Sequence, residues 1–521
     1  MQQGHRIIYN TLTSYAAAVI QGLVGFFFVP FLLCYLGETT YGIIVLCTSA
    51  LTMSDVVGST ISKAVTKYVA EYRAKEDTEL ANQVFNSALL WFLMFGLAGG
   101  LIFSGLAVFI GNFVGDLPKE MISEARTSIF IVAATSFVCL TMDSFMGLLW
   151  AEQRYDLVNI NTVLRSILHA VAVVGYVLLI NPSVVAVVVI MGIMRVSMRF
   201  GFAYQCFRTL PWLKISTRYL TWSGAKTIIA FASMVLLVTV ANIAAYEMVK
   251  FIIGNQFGLD DVTRYGIIAF VVMFSFFLIL NIGGVMVPVV SKYQGQGNMA
   301  TVGYLFSVGI KYANIVGVGL LVVSIPLFGP FLSLWVGPKY VELVPLIVIM
   351  GISQILAGSS SCAQQVLSGF GKNGFVMVAS LMWALLGVGA AWSYAALVPA
   401  ATLGGFVIIV SVARGLGALA IVIYGMAVNR VDKKIFIYSS FIKPAAIGLL
   451  GCLLSFILTR FLSVDNWFML TASAIVAEAA YFGLAFFLCL DGYEKKMLTG
   501  FCSSALGKVS SHILTTKNND S

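Results

Sequence analysis

The chain has 521 residues, of which 60% are hydrophobic and 10% charged, with a mean hydropathy of +0.96 and a formal charge of +9. Soluble domains run near half apolar and a quarter charged, so no water-facing surface can be assembled from this composition, and soluble enzymes and nucleic-acid binders are excluded together. The chain reads as an all-α polytopic membrane protein, in which an excess of Lys and Arg is first of all a topology signal.

About 20 apolar residues carry a helix across the ~30 Å hydrocarbon layer. Taken in chain order, stretches at 11–35, 41–62, 84–110, 127–150, 157–180 and 183–206 qualify as spans one to six. A basic linker, 208–225, contains Trp212 and Trp222 and is expected to run along the cytoplasmic surface. Spans seven to twelve follow at 226–249, 265–288, 302–328, 342–366, 374–395 and 402–424, and two more at 436–459 and 467–490. The expected organisation is therefore an N-terminal lobe (1–207), a linker (208–225), a C-terminal lobe (226–430), an accessory pair (431–490) and a tail (491–521), with fourteen spans in all. With the N-terminus inside, 22 of the 31 Lys and Arg fall in cytoplasmic segments and six on the opposite face, which places both termini in the cytoplasm. The first stretch is too long for a signal-peptide core and lacks a small-residue cleavage site, so it is expected to be retained as a span. All eight cysteines lie in or beside apolar stretches without a C-x-x-C and read as small hydrophobes.

A weak internal repeat runs through the chain. Tyr41-Gly42-Ile43-Ile44 opens the second span and Tyr265-Gly266-Ile267-Ile268 the eighth, an offset of 224 residues. Thr66-Lys67-Tyr68 is echoed by Ser291-Lys292-Tyr293 at 225, and Leu149 to Arg154 by Leu367 to Lys372 at 218. Six spans separate the copies, so the two six-helix lobes have the same orientation, a parallel repeat about an axis along the membrane normal.

Ionisable groups inside a bilayer cost ~2.5–3.5 kcal/mol each on insertion scales and mark functional positions. In the second span, Thr48, Thr52, Asp55, Ser59, Ser62 and Thr66 recur at spacings of three and four, on one helical stripe. Such hydroxyls either line a watery cavity or bond their own helix and its neighbours; with Asp55 in the row, the stripe is read as cavity lining. The fifth span carries Asn161, Arg165 and His169, the sixth Arg195 and Arg199, and the twelfth Arg414. Arginine cannot escape burial by losing a proton, so these cations require anions. Asp143, Asp55 and Glu478 are internal candidates, and the same three carboxylates are the candidates for ion coupling. The other reading makes Arg165, Arg195 and Arg414 a cationic cavity that holds a diphosphate through bidentate hydrogen bonds. In the tenth span, Gln364 and its neighbouring amides and hydroxyls suit either sugar hydroxyls or interhelical bonding.

No cofactor or enzyme signature survives. The run Gly369, Gly371, Lys372, Asn373 lacks the upstream glycine of a phosphate loop, and Asn stands where Ser or Thr would meet magnesium. The first seventy residues, by contrast, are distinctive. Pro30, Leu36-Gly37, Tyr41-Gly42 and Ala64-Val65-Thr66-Lys67-Tyr68-Val69-Ala70-Glu71 together resemble the polysaccharide exporters and O-antigen flippases of the multidrug/oligosaccharidyl-lipid/polysaccharide exporter superfamily. That family often has an Asp-x-Gly step just before its Arg/Lys-Tyr; here Asp55 and Gly58 stand about a turn earlier, so the resemblance assigns Asp55 no role. The resemblance implies a flippase for undecaprenyl-diphosphate-linked oligosaccharide in a bacterial inner membrane. It also implies lobes that rock about a central cavity, a proton or sodium gradient as the driving force, and a complex with a polymerase and chain-length regulator. The alternatives are a drug or organic-cation antiporter of the same fold and, from another class, a membrane polysaccharide polymerase, for which the outward loops are short.

Overall fold

The computed structural model describes residues 2–115, 117–284, 290, 293–370, 372–496 and 499. The side chains of His5, Asn242, Asn281 and Asn373, and the residues Ser291, Lys292, Gly371, Cys502 and His512, lie outside the described residues. The described chain is helical throughout. Its helices are α1 (Gln2–Leu36), α2 (Glu38–Ala74), α3 (Thr78–Phe113), α4 (Lys119–Ala151), α5 (Tyr155–Leu179), α6 (Val184–Thr209), α7 (Trp222–Ile243), α8 (Val249–Gln256) and α9 (Leu259–Gly284). They continue as α10 (Met299–Val318), α11 (Ile325–Trp335), α12 (Val344–Gly369), α13 (Asn373–Leu397), α14 (Leu403–Asn429), α15 (Lys433–Ile437), α16 (Lys443–Phe461) and α17 (Trp467–Leu488). Three π-helical turns, Ala244–Met248, Gly319–Val323 and Tyr438–Ile442, join α7 to α8, extend α10 and join α15 to α16.

Among the described residues, twelve helices are long and apolar enough to cross a membrane. Two further helices, α7 and α9, stand where the seventh and eighth spans are expected. The chain divides into two compact units, 1–274 with 374–417, and 275–373 with 418–521.

In the first unit α4 packs along α3, α2 and α6, while α1 lies against α5 and α5 against α6. The burial gradient follows: 61% of the apolar windows of α2 and α4 is buried, against 17% for α1 and α5. Helix α4 buries polar as well as apolar side chains, among them Ser128, Thr135, Ser136, Asp143 and Ser144, so its polar groups must find partners on the helices packed against it. Helix α1 passes into α2 through Gly37 alone, at φ +80, a left-handed value that a side chain would oppose. The glycine of each echoed motif packs close to the helix that carries the other. A Cβ on Gly42 would strike the Leu259 carbonyl oxygen, and Gly266 faces Val45. Nearby, Thr263 donates to the Glu38 carbonyl at 2.7 Å and Thr39 to Asp260 at 2.7 Å.

The basic linker is strapped to α3 by side chains that hydropathy does not reveal. Asn82 donates to Trp212 O and accepts from Lys214 N, at 3.0 and 2.7 Å. One turn on, Asn86 donates to Lys214 O and accepts from Ser216 N, at 2.8 and 3.0 Å. Ser87 pairs in the same manner with Thr221, and the Trp91 indole reaches Ala225 O at 2.9 Å. Asn86→Ala removes the partner of two backbone groups in a part-buried strap and should cost about 0.5–1.5 kcal/mol. The check is the unfolding midpoint of the detergent-solubilised protein; a midpoint equal to wild type would remove the strap from the fold's supports.

In the second unit, α10 packs against α12 and its π-helical extension against α16 and α17. Lys311, which falls within the expected ninth span (302–328), is buried there and paired with Glu494, Nζ to Oε2 2.7 Å. All seven described cysteines are unpaired; Cys34 is exposed, whereas Cys47, Cys139, Cys206, Cys362 and Cys489 are buried.

Candidate functional site

Small residues bring α2 and α4 close enough for their polar atoms to interlock. The Ser62 hydroxyl donates to the Asp143 carbonyl at 2.8 Å and Thr66 to the Gly147 carbonyl at 3.1 Å, while a Cβ on Gly147 would stand 2.9 Å from Ser62 O. Gly58 leaves room for the Asp143 carboxylate, since any Cβ there would overlap Oδ2. Helix α6 lies along the other side of α4 and presents Arg195 and Arg199 one turn apart.

These four charges form one network. Arg195 Nη1 hydrogen-bonds Asp55 Oδ2, Arg199 Nη2 reaches Asp55 Oδ1 at 2.5 Å, and Arg199 Nε donates to Asp143 Oδ1 at 3.0 Å. The Asp55 side chain keeps 33% of its exposure, against 1% for Asp143 and 5% for Arg199. Asp55 is therefore the accessible end of the network and Asp143 its buried anchor. The pairing of Arg195 and Arg199 with Asp55 and Asp143 is the internal neutralisation that the sequence leaves open.

The stripe on α2 divides along its length. Thr48 is exposed, Thr52 and Ser59 are half-buried and bond carbonyls of their own helix, and Ser62 is buried against α4. On α5, Asn161 donates to Gln205 Oε1 at 3.0 Å and His169 lies 5.2 Å from the Phe28 ring. Between them, Arg165 lies near enough to feel the charges of Asp55 and Arg195. It has no carboxylate partner among the described residues; its buried Nε lacks a hydrogen bond, and Nη2 only grazes Ser166 Oγ at 3.5 Å. The cluster thus holds three guanidinium groups and two carboxylates, one positive charge in excess.

Arg414 takes a different partner. Its guanidinium lies 3.9 Å from the centroid of the Tyr246 ring, which the π-turn Ala244–Met248 presents, a cation–π contact. In the second unit, Gln364 donates to Ser360 Oγ at 3.4 Å on its own helix. There too, Glu478 accepts from Ser324 at 3.3 Å and leaves Oε2 buried without a hydrogen bond. Sequence reasoning missed Tyr246, Gln205, Ser324 and the Asn314–Ser359 bond (2.7 Å). Each depends on which helices touch, and a single chain carries no signal for that.

No family model matches the chain. The uncharacterized membrane protein EpsK of Bacillus subtilis (strain 168) is 19% identical over 353 residues, 65% of this chain and 67% of that protein. Among solved structures, an inward-facing multidrug resistance MATE family transporter of the MOP superfamily matches at TM-score 0.69 and 16% identity, over 79% of this chain and 94% of its own. The lipid II flippase MurJ, in an inward closed conformation, matches at TM-score 0.69 and 12% identity, over 92% of this chain and 99% of its own. The chain shares the fold of these two structures. A third structure with this fold is a MOP superfamily transporter from Pyrococcus furiosus Vc1 (DSM3638), whose reversed binding-pocket polarity suggests a different function; it matches at TM-score 0.56 and 16% identity, over 82% of this chain and 94% of its own.

In this fold the buried network is also a stability element. Asp143→Asn leaves Arg199 under-compensated in a low-dielectric site and should cost about 3–5 kcal/mol. Combining it with Arg199→Gln should recover part of that loss, because the two sites are coupled. Gly58→Ala, which displaces Asp143 sterically, should act like Asp143→Asn. Thermal unfolding of wild type, Asp143→Asn, Arg199→Gln, their double variant and Gly58→Ala in one detergent tests this; additive losses in the double variant would show that the pair does not act as a unit.

Proposed function

We propose that the protein is a flippase that carries undecaprenyl-diphosphate-linked oligosaccharide, of the O-antigen repeat-unit type, across a bacterial inner membrane by alternating access. The observation that carries this reading is the surplus cation: Arg165 stands beside the Arg–Asp network and, among the described residues, has no carboxylate of its own. A guanidinium is planar, permanently charged and matched to two phosphate oxygens at once, so a diphosphate is the ligand class it suits. Arg195 and Arg414 extend the same chemistry, and Asn161 and Gln364 offer amides to sugar hydroxyls.

The exposed end of the network suggests how an ion gradient is coupled. A proton or sodium ion at Asp55 would weaken its hold on Arg195 and Arg199 and free them for the phosphates. Binding of the diphosphate would, by reciprocity, favour the ion-bound carboxylate. Asp143 and Glu478 are the other carboxylates for which we propose a coupling role. The match to MurJ, which spans 92% of this chain against 79% for the MATE transporter at equal TM-score, supports the flippase over a drug antiporter. A positive rather than negative charge balance argues against an organic-cation site. We also place the protein beside a polymerase and chain-length regulator, with N- and C-termini in the cytoplasm and lobes at 1–207 and 226–430.

Loss of one charge-assisted contact to phosphate is worth about 10–100-fold in binding. Arg165→Ala should therefore abolish surface polysaccharide in cells that depend on this protein, with wild-type abundance in the membrane. Normal polymer from an Arg165→Ala strain would sink the binding role. Efflux of an organic cation that survives in the variant would favour the antiporter.

A further inference from the structure

The second unit carries another basic feature, unrelated to the arginines above. The start of α10, the end of α14, α15, the start of α16 and the residues after α17 surround a cleft of about 500 Å³. Lys311, Arg430, Lys443 and Asp491 are its charged lining, and Lys433, Lys434, Lys495 and Lys496 lie beside it in the chain. The acidic groups here are consumed by the wall itself. Glu494 pairs with Lys311 and accepts from Asp491 N at 2.8 Å, Asp491 accepts from Glu494 N at 2.8 Å, and Asp432 caps α15 by accepting from Ile435 N at 2.9 Å. Arg430 is exposed, and Lys443 donates to Leu488 O at 3.4 Å and lies 5.2 Å from the centroid of the Tyr438 ring. Arg430 and Lys443 thus both line the cleft, and among the described residues neither is held in an ion pair.

The surroundings of the cleft are apolar and outward-facing: Ile435 is 69% exposed, Ile442 51% and Leu488 53%. In a chain that spans a bilayer, such side chains meet acyl tails. Basic groups at the rim of a lipid-facing apolar surface are the arrangement that recognises an anionic lipid headgroup. We propose that this cleft binds an acidic phospholipid, its phosphate held by Arg430 and Lys443 and its acyl chains lying on Ile435, Ile442 and Leu488. The site is separate from the proposed substrate path, so its failure would leave the flippase reading untouched.

The test is a thermal-shift titration of the full-length detergent-solubilised protein with phosphatidylglycerol, phosphatidylcholine and sodium phosphate. Phosphatidylglycerol should stabilise saturably, whereas phosphatidylcholine and phosphate should not. The double variant Arg430→Gln/Lys443→Gln should unfold like wild type without lipid and bind phosphatidylglycerol roughly thirtyfold more weakly, about fivefold for each basic group. The conservative pair Arg430→Lys/Lys443→Arg should retain binding. Equal stabilisation by phosphatidylcholine, reproduction of the shift by free phosphate, or unchanged affinity in the neutral pair overturns the proposal. Mass spectrometry of the purified wild-type protein gives a readout that needs no variant: acidic phospholipid retained through delipidation supports the site, and its absence overturns it.

Discussion

Two arginines that cannot surrender their charge lie against two aspartates between α2, α4 and α6, and much of the first unit's geometry follows from that constraint. In a low-dielectric interior a guanidinium must find its anion at contact distance. Contact requires that three helices approach closely, and close approach requires missing side chains, at Gly58 and Gly147. The hydroxyls of Ser62 and Thr66 then bond carbonyls of α4 across the gap. Polar network and small-residue seam are one device: neither is stable without the other.

The same network grades the site from inside to outside. Asp143 is sealed, Arg199 bridges to it, and Asp55 faces outward with a third of its side chain accessible. A fully sealed pair would be structural only; a fully exposed one would be worth little. A carboxylate that shares two arginines at the edge of a buried cluster has a reason to change partners when an ion or an anionic ligand arrives. Arg165 adds the positive charge that the network does not cancel, and it sits on α5, one of the least buried helices of the unit.

Much of this was legible in the sequence, and the boundary of legibility is physical. Spans announce themselves because the bilayer demands long apolar runs, so the helices Glu38–Ala74 and Lys119–Ala151 enclose the expected second and fourth spans. The Tyr-Gly-Ile-Ile repeat was readable, and in the structure its two glycines stand at close approaches, Gly42 on Leu259 and Gly266 on Val45. That ionisable groups in the membrane matter was readable too. Which cation meets which carboxylate was not, since Asp55 and Arg195 are 140 residues apart and only packing unites them. For the same reason the sequence carries no signal for the Lys311–Glu494 pair or for the bonds from Asn82 and Asn86 to the linker.

The π-turns are the other feature beyond the reach of hydropathy, and they share a use. Each adds a residue to a helical turn, which rotates everything beyond it and leaves a carbonyl without its usual partner. At Ala244–Met248 the result is Tyr246 beneath the Arg414 guanidinium. Gly319–Val323 ends beside Ser324, the donor to Glu478, and Gly319 gives that carboxylate room. At Tyr438–Ile442 the carbonyl of Ser440 is taken by Asn314 at 2.7 Å, and the Tyr438 ring lies 5.2 Å from the ammonium of Lys443. A membrane helix cannot leave a carbonyl unpaired in hydrocarbon, so a π-turn persists only where a neighbour supplies the missing bond. In each of these three places the distorted turn presents or sits beside a polar or charged side chain, which ties the irregular backbone to the residues that carry chemistry rather than to packing alone.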